Sequence, residues 1–202
     1  FIQAEAASRL GLIQVLEGAR QMTAVKVTKL EAARHQLDAA IELFFTADNP
    51  MAVHTLTAAA YNVLKDLAKR EGLEYPFIKS GFLDSIPKQQ RSSVWAFLHN
   101  PENFLKHADR DPDDVLELNP QLTELLLLDA CSYFKHSGAP APRHFDAIKA
   151  WGGNLRADID PASPLGLATT QVIAALKAAG KQHFWQWYNQ LLESKRLSSG
   201  AL

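Results

Sequence analysis

Only one cysteine, Cys131, occurs among the 202 residues, so no disulfide can form within the chain. A chain of this length buries about 70% of the surface that it exposes when unfolded, and its core therefore needs neither disulfides nor a structural metal. An unpaired cysteine is typical of a reducing compartment, and we expect a cytoplasmic protein. Because Cys131 lies in a leucine-rich segment, we expect a small buried side chain rather than a nucleophile.

Long apolar runs and an excess of charge of one sign are also missing. The leucine-rich stretch from Leu125 to Cys131 is interrupted by Asp129 and is far shorter than the ~20 residues that span a bilayer, so we expect no membrane segment. The 21 basic and 22 acidic residues give a net charge of −1, which excludes an overall positive field for nucleic acid but leaves a local basic patch open. With 47% hydrophobic residues, the composition excludes a disordered chain.

The sequence fingerprints of common cofactors and metals are absent as well. Neither GxGxxG nor GxxxxGK[ST] occurs, so the usual phosphate-binding loops are missing, and so is the nucleophile elbow GxSxG. The absence of HExxH and ExxH argues against zincins and ferritin-like di-iron bundles. Asp109, Asp111 and Asp113 alternate like the start of a calcium loop, but Asp114 and Pro120 stand where glycine and an acidic ligand are needed. We therefore expect no cofactor and no metal.

Helix start and stop signals, by contrast, punctuate the whole chain. Thr28 and Glu31 have the spacing of a capping box, and Asn-Pro or Ser-Pro pairs mark further helix starts. Glycines mark the ends. The predicted starts are Thr28, Asn49, Asn100, Asn119 and Ser163, and the predicted stops are Gly72, Gly138 and Gly180. No segment alternates like a β-strand.

Apolar residues recur at three- and four-residue steps between these signals, which predicts amphipathic helices. The expected buried stripes are Leu30, Ala33, Leu37, Ile41 and Phe44 in the first helix, Val53, Leu56, Ala60, Val63 and Leu67 in the second, Leu122, Leu125, Leu126, Ala130 and Phe134 in the leucine-rich helix, and Phe184, Trp187, Tyr188 and Leu191 in the last. Residues 73–86 are expected to be a connector, followed by a helix over 87–99 and a further turn or two over 100–107.

The fold class that follows is all-α, a single-domain helical bundle of six to eight helices. An antiparallel helix hairpin opens it, because the connection near residue 49 is short. The domain is expected to span 22–202, with a candidate sub-boundary at 138–142. For residues 1–21 two interpretations stay open: a packed helix, or an extension before Met22 that results from the choice of start site.

Asn103 and His107 are the leading candidate site residues. They lie four apart and share one face of a predicted helix. His107 could act as acid, base or ligand near neutral pH, whereas the alternative is a buried pair that hydrogen-bonds inside a helix junction. A three-histidine site from His35, His54 and His107 is a further alternative.

The segment from Glu102 to His107, ENFLKH, resembles the motif of the HEPN superfamily, small all-helical bundles of which many are bacterial. That motif has an arginine, a polar residue that is commonly asparagine, three variable residues and a histidine. Asn103 and His107 match it, and Glu102 occupies the arginine position. The resemblance covers residues 28–138 and implies a homodimer, since active members cleave RNA without metal, usually across a dimer.

An acidic residue at the arginine position cannot stabilise phosphate, and Lys106 or Arg110 are the cations that could replace it. The leading hypothesis is therefore a non-enzymatic interaction module, homodimeric or bound to another protein, with a degenerate motif. The second is a metal-independent ribonuclease in which His107 is the acid/base and Asn103 orients it, with RNA as a partner. The third is a bundle with a small-ligand or metal site between its helices.

Overall fold

The computed structural model describes residues 25–107, 109, 112–153 and 162–198. Within these ranges the regular secondary structure is entirely α-helical, which confirms the predicted all-α bundle. Eight helices follow one another: α1 Lys29–Thr46, α2 Pro50–Glu71, α3 Ile78–Ser85, α4 Lys88–Lys106, α5 Pro120–Ser137, α6 Phe145–Trp151, α7 Pro164–Ala179 and α8 Lys181–Ser198. The interpretations of residues 1–21 and of Arg110 lie outside the described residues.

The helix ends follow the local signals. The Thr28 hydroxyl accepts a hydrogen bond from the Glu31 amide at 3.2 Å, and the Glu31 carboxylate accepts one from the Thr28 amide at 2.8 Å, so the capping box is complete. At the start of α2, Asn49 Oδ1 accepts from the Ala52 amide at 3.0 Å. The helix ends at Gly72, whose φ of 64° favours glycine.

Helix α2 is the centre of the bundle, since it packs against α1, α4 and α5. Hydrogen bonds from its residues 54 and 61 reach residues 123 and 129, so α2 and α5 run parallel. Because neighbours cover more than one side of α2, its buried face is wider than the predicted stripe. Leu56, Val63 and Leu67 are only half-buried, and the fully buried side chains include His54, Thr57, Tyr61 and Leu64.

Two expectations for residues 73–107 were wrong. Residues 78–85 form α3 rather than part of a connector, and α4 continues through Pro101 instead of ending at His99. Proline in a helix interior removes one backbone hydrogen bond. Here the helix persists because Pro101 and Glu102 are buried against the bundle, and the tertiary contacts outweigh the local start signal at Asn100.

The carboxy-terminal helices join the same core. Phe184 is fully buried, stacks on Phe45 at 5.3 Å and meets the edge of Trp151 at 5.3 Å. Trp185 stacks on Phe45 at 5.2 Å, and Tyr188 is buried. The aromatic segment is therefore core, as predicted, but Leu191 of the expected stripe is exposed and Trp185, outside that stripe, packs on the core. The helices that follow residues 138–142 share one cluster with α1 and α2. In α5 the predicted stripe is buried except for Leu125.

Candidate functional site

Asn103 and His107 are both exposed at the carboxy-terminal end of α4. The hydrogen bond between them is a backbone one, from the His107 amide to the Asn103 carbonyl at 3.0 Å, and it closes the last helical turn. The alternative of a buried, side-chain-bonded pair was therefore wrong, because both side chains face away from the bundle. Arg110 lies outside the described residues.

Glu102, in contrast, is buried beneath the same turn of α4 and is only 8% exposed. One carboxylate oxygen accepts from Lys79 Nζ of α3 at 2.7 Å. The other accepts from Lys106 Nζ, one turn later in α4, and from the Asn62 amide of α2. The carboxylate thus ties three helices together.

Glu102 and Lys79 each stabilise the charged form of the other in this buried position. Burial by itself would raise the pKa of Glu102, but the hydrogen bonds from Lys106 and Lys79 outweigh burial and hold the pKa at about 2. Burial lowers the pKa of Lys79, and the hydrogen bond and charge of Glu102 oppose that shift. Because Lys79 is 4% exposed, a charged amine is tolerated there only as long as the carboxylate stays beside it.

A second buried centre surrounds Asp129 of α5, which is 9% exposed. Its carboxylate accepts from Tyr61 Oη at 2.7 Å, from Tyr75 Oη at 2.9 Å and from the Ile78 amide at 3.0 Å. Burial, together with the charge of Asp129, raises the pKa of both tyrosines, so their hydroxyl protons remain available for these bonds.

Tyr61 joins the two centres. Its hydroxyl oxygen accepts from the backbone amide of Lys79 at 3.0 Å, and the ammonium group of Lys79 lies 5.4 Å from the centre of the Tyr61 ring. The polar groups therefore form one continuous network through α2, α3, α4 and α5. Sequence reasoning missed Asn62, Lys79 and Asp129. The available signals were a lysine in the apolar segment FIKSGFL and an aspartate within the leucine run.

His54 is fully buried in α2, next to this network. Its Nδ1 shares a hydrogen bond with the Thr123 hydroxyl at 2.9 Å, while its Nε2 has no hydrogen-bond partner among the described residues. Burial, helped by the charge of Lys79, lowers the pKa of His54 to about 4. The imidazole is therefore neutral at physiological pH.

This histidine predicts a loss of stability in mild acid. Between pH 6.5 and pH 4 the unfolded chain binds a proton at His54 that the folded protein does not, so the free energy of unfolding should fall as the pH falls, by about 3 kcal/mol. Below pH 4 both states are protonated at this residue and its contribution stops changing. Urea midpoints measured at intervals across this window should give a flatter profile for His54→Gln than for the wild type.

Thr123→Val is the matched control for that measurement, because it removes the hydroxyl beside the ring and keeps the titrating group. We expect it to lower stability at every pH while it retains the slope of the wild type. A His54→Gln profile as steep as that of the wild type would contradict the assignment.

The described residues form neither a metal-binding site nor a site with a reactive nucleophile. His35 and His107 are exposed, whereas His54 is buried, so the three-histidine alternative is wrong. No group of three histidine, cysteine or acidic side chains that could hold a metal ion occurs among the described residues. Cys131 is fully buried, and burial raises the pKa of its thiol, which leaves it in the inert form.

The arrangement as a whole is a neutralised polar network under an exposed helical surface. None of the described helices is both long and apolar enough to cross a bilayer. No protein-family model, no curated protein and no solved structure matches this chain.

Proposed function

We propose that the chain is a non-enzymatic interaction module, an HEPN-like bundle with a degenerate motif, which associates with a second copy of itself. The observation that supports this proposal is that Glu102 binds both Lys106 and Lys79. Phosphate chemistry beside His107 needs a cation that is free to contact the substrate, but Lys106 is held by Glu102 and Lys79 is buried with it.

Two half-exposed aromatic side chains on α4 support a docking role. Helix α4 packs chiefly on α2 and α3, which leaves much of its surface open to solvent. Trp95 is 47% exposed and stacks on His99, and Phe97 is 50% exposed. Half-exposed aromatic side chains are enriched at protein interfaces because they bury a large area with little loss of conformational freedom.

Charge complementarity favours a second copy as the occupant. Lys88 is exposed and places a positive charge at the amino-terminal end of α4, whereas Asp109, Asp113 and Asp114 follow its carboxy-terminal end and are exposed. When two copies of α4 pair in antiparallel fashion about a two-fold axis, the basic end of each lies against the acidic segment of the other. Such complementarity fixes the orientation of the pair.

The test of the dimer is a charge placed in its centre. Phe97, near the middle of α4, should lie close to the two-fold axis. Phe97→Asp should raise the dimer dissociation constant about a hundredfold, because burying an unpaired carboxylate costs about 3 kcal/mol. Size-exclusion chromatography with light scattering should give twice the chain mass for the wild type and the chain mass for the variant.

Leu167→Asp is the matched control, since Leu167 is 54% exposed on α7 and lies outside the proposed interface. It should leave the dimer intact, and added salt should weaken the wild-type dimer by screening its charged ends. A wild-type protein that stays monomeric at the highest accessible concentration, or a dimer that tolerates Phe97→Asp, would overturn the proposal.

RNA distinguishes this proposal from the ribonuclease hypothesis. We expect the wild type to leave a generic single-stranded RNA intact, with His107→Ala and Asn103→Ala indistinguishable from it. Cleavage by the wild type that His107→Ala abolishes, with an unchanged thermal melt, would establish the enzyme instead.

A further inference from the structure

A cleft opens at the end of the bundle where α1 stops and α8 begins. Its volume is about 370 Å³, and its walls include Phe44, Phe45 and Asp48 on one side and Gly180 and Lys181 on the other. A smaller cavity of about 110 Å³ adjoins it. The two share Phe44, Ala47, Asp48 and Lys181, and the smaller one extends to Val53, Pro120 and Thr123.

Lys181 is the charged group common to both cavities on the α8 side. Its Nζ lies 3.7 Å from the centre of the Phe44 ring, and the ring itself is buried. Burial lowers the pKa of Lys181, while Glu124 and Asp48 act in the opposite direction from a distance. No carboxylate among the described residues forms an ion pair with this ammonium group. A half-buried cation held on an aromatic ring therefore lines the cleft, and the carboxylates of the described residues that act on it, those of Asp48 and Glu124, do so from beyond ion-pair distance.

The backbone adds positive potential at the same place. Helices α2, α5 and α8 all begin here, with Pro50, Pro120 and Lys181 in the cavity walls. The side chains of Asn49 and Asn119 cap α2 and α5, whereas α8 follows Gly180, which has no side chain to accept from the first amides. Amides at a helix start favour negative charge, so the helix starts reinforce the field of the lysine.

We propose that this cleft binds the anionic group of a small molecule, a carboxylate or a phosphate, with Lys181 as its ion-pair partner. The Phe44 ring beneath the ammonium group holds the lysine in place, and the apolar wall of Val53 and Pro120 accommodates the body of the ligand. The larger cavity has the size of a small-molecule site. This site lies apart from α4 and does not depend on self-association.

Thermal melts of the full chain with inorganic phosphate and with acetate test the proposal. At least one anion should raise the melting temperature of the wild type, and the one that does identifies the class. Lys181→Met, which retains the apolar stem, should abolish the shift, and Lys181→Arg should restore it. Lys149→Met is the matched control, because Lys149 lies outside both cavities and pairs with Asp146 at 3.8 Å.

A substitution of Asp48 provides a second, independent test of anion binding. Its carboxylate lines both cavities and opposes an anion there, so Asp48→Asn should tighten anion binding about fivefold, the effect of removing one like charge near the surface. The proposal is overturned if neither anion raises the melting temperature, if Lys181→Met keeps the shift, or if Asp48→Asn weakens binding. Melts without anion establish that each variant is folded.

Discussion

Glu102→Gln should lower the free energy of unfolding by about 3–5 kcal/mol, because it leaves the ammonium group of Lys79 buried without a counter-ion. Glu102 accepts from Lys79 at 2.7 Å, and the two side chains are 10% and 2% exposed, so water cannot replace the lost partner. Urea unfolding at neutral pH measures the loss. The effect should be among the largest that any single substitution produces in this chain.

Removing both charges of the Lys79–Glu102 ion pair separates two quantities. One is the stability that is lost when only one partner is removed, and the other is the net contribution of the intact pair to stability. The double variant Lys79→Met with Glu102→Leu removes both charges and fills similar volume, and it should recover most of the stability that Glu102→Gln loses. Asp146→Asn is the control, since the Lys149–Asp146 pair is long and its carboxylate is 83% exposed. A Glu102→Gln variant as stable as Asp146→Asn would show that the buried ion pair is not required.

Asp129→Ala should be comparably destabilising, for a different reason. It leaves the hydroxyl of Tyr61 and the amide of Ile78 without their acceptor, whereas the Tyr75 hydroxyl keeps the backbone carbonyl of residue 129 at 3.0 Å. A hydrogen bond to a charged group contributes about 1.5–3 kcal/mol, so the two donors that lose their acceptor predict a loss of at least about 3 kcal/mol. Because the Ile78 amide opens α3, hydrogen exchange should also accelerate in that helix.

The tyrosines allow the loss to be apportioned. Tyr75→Phe removes one hydrogen-bond donor and should lower the free energy of unfolding by less than Asp129→Ala does. The double variant should lose less stability than the sum of the losses of the two single variants. Asp129→Asn keeps one carbonyl oxygen and should fall between the wild type and Asp129→Ala. Additive losses for Asp129→Ala and Tyr75→Phe would mean that the carboxylate and the phenol do not act as a unit.

The helix boundaries were predictable because each is set by residues that are close in sequence. The capping box of Thr28 and Glu31 closes within one turn, and Gly72 ends α2 through its own backbone angle. The exceptions are α3, which forms within the expected connector, and Asn100-Pro101, where the local signal predicts a new helix but burial of the next turn keeps α4 continuous. Local rules failed where a tertiary contact carries more free energy than a cap.

The candidate site could be predicted only in part. The spacing of Asn103 and His107 places them on one face of α4, but spacing does not tell whether that face is buried or exposed. The network around Glu102 and Asp129 joins residues of different elements that are 18 to 68 positions apart. Nothing in a single sequence pairs such residues, because the pairing depends on how the helices cross. Their chemistry was visible one residue at a time, as polar groups in apolar segments.

The parallel arrangement of α2 and α5 has a consequence for how the chain reaches its fold. Two helices that pack in parallel, such as α2 and α5, cannot be joined by a tight turn. The connecting segment, which contains α3 and α4, must return to the end of the bundle where α2 begins before α5 can start. Closing that long excursion costs more chain entropy than forming the α1–α2 hairpin, whose partners are adjacent in sequence. The carboxylate of Asp129 binds the first residue of α3, and that of Glu102 anchors α4. The polar network therefore stabilises the segment between α2 and α5, whose closure costs the most chain entropy.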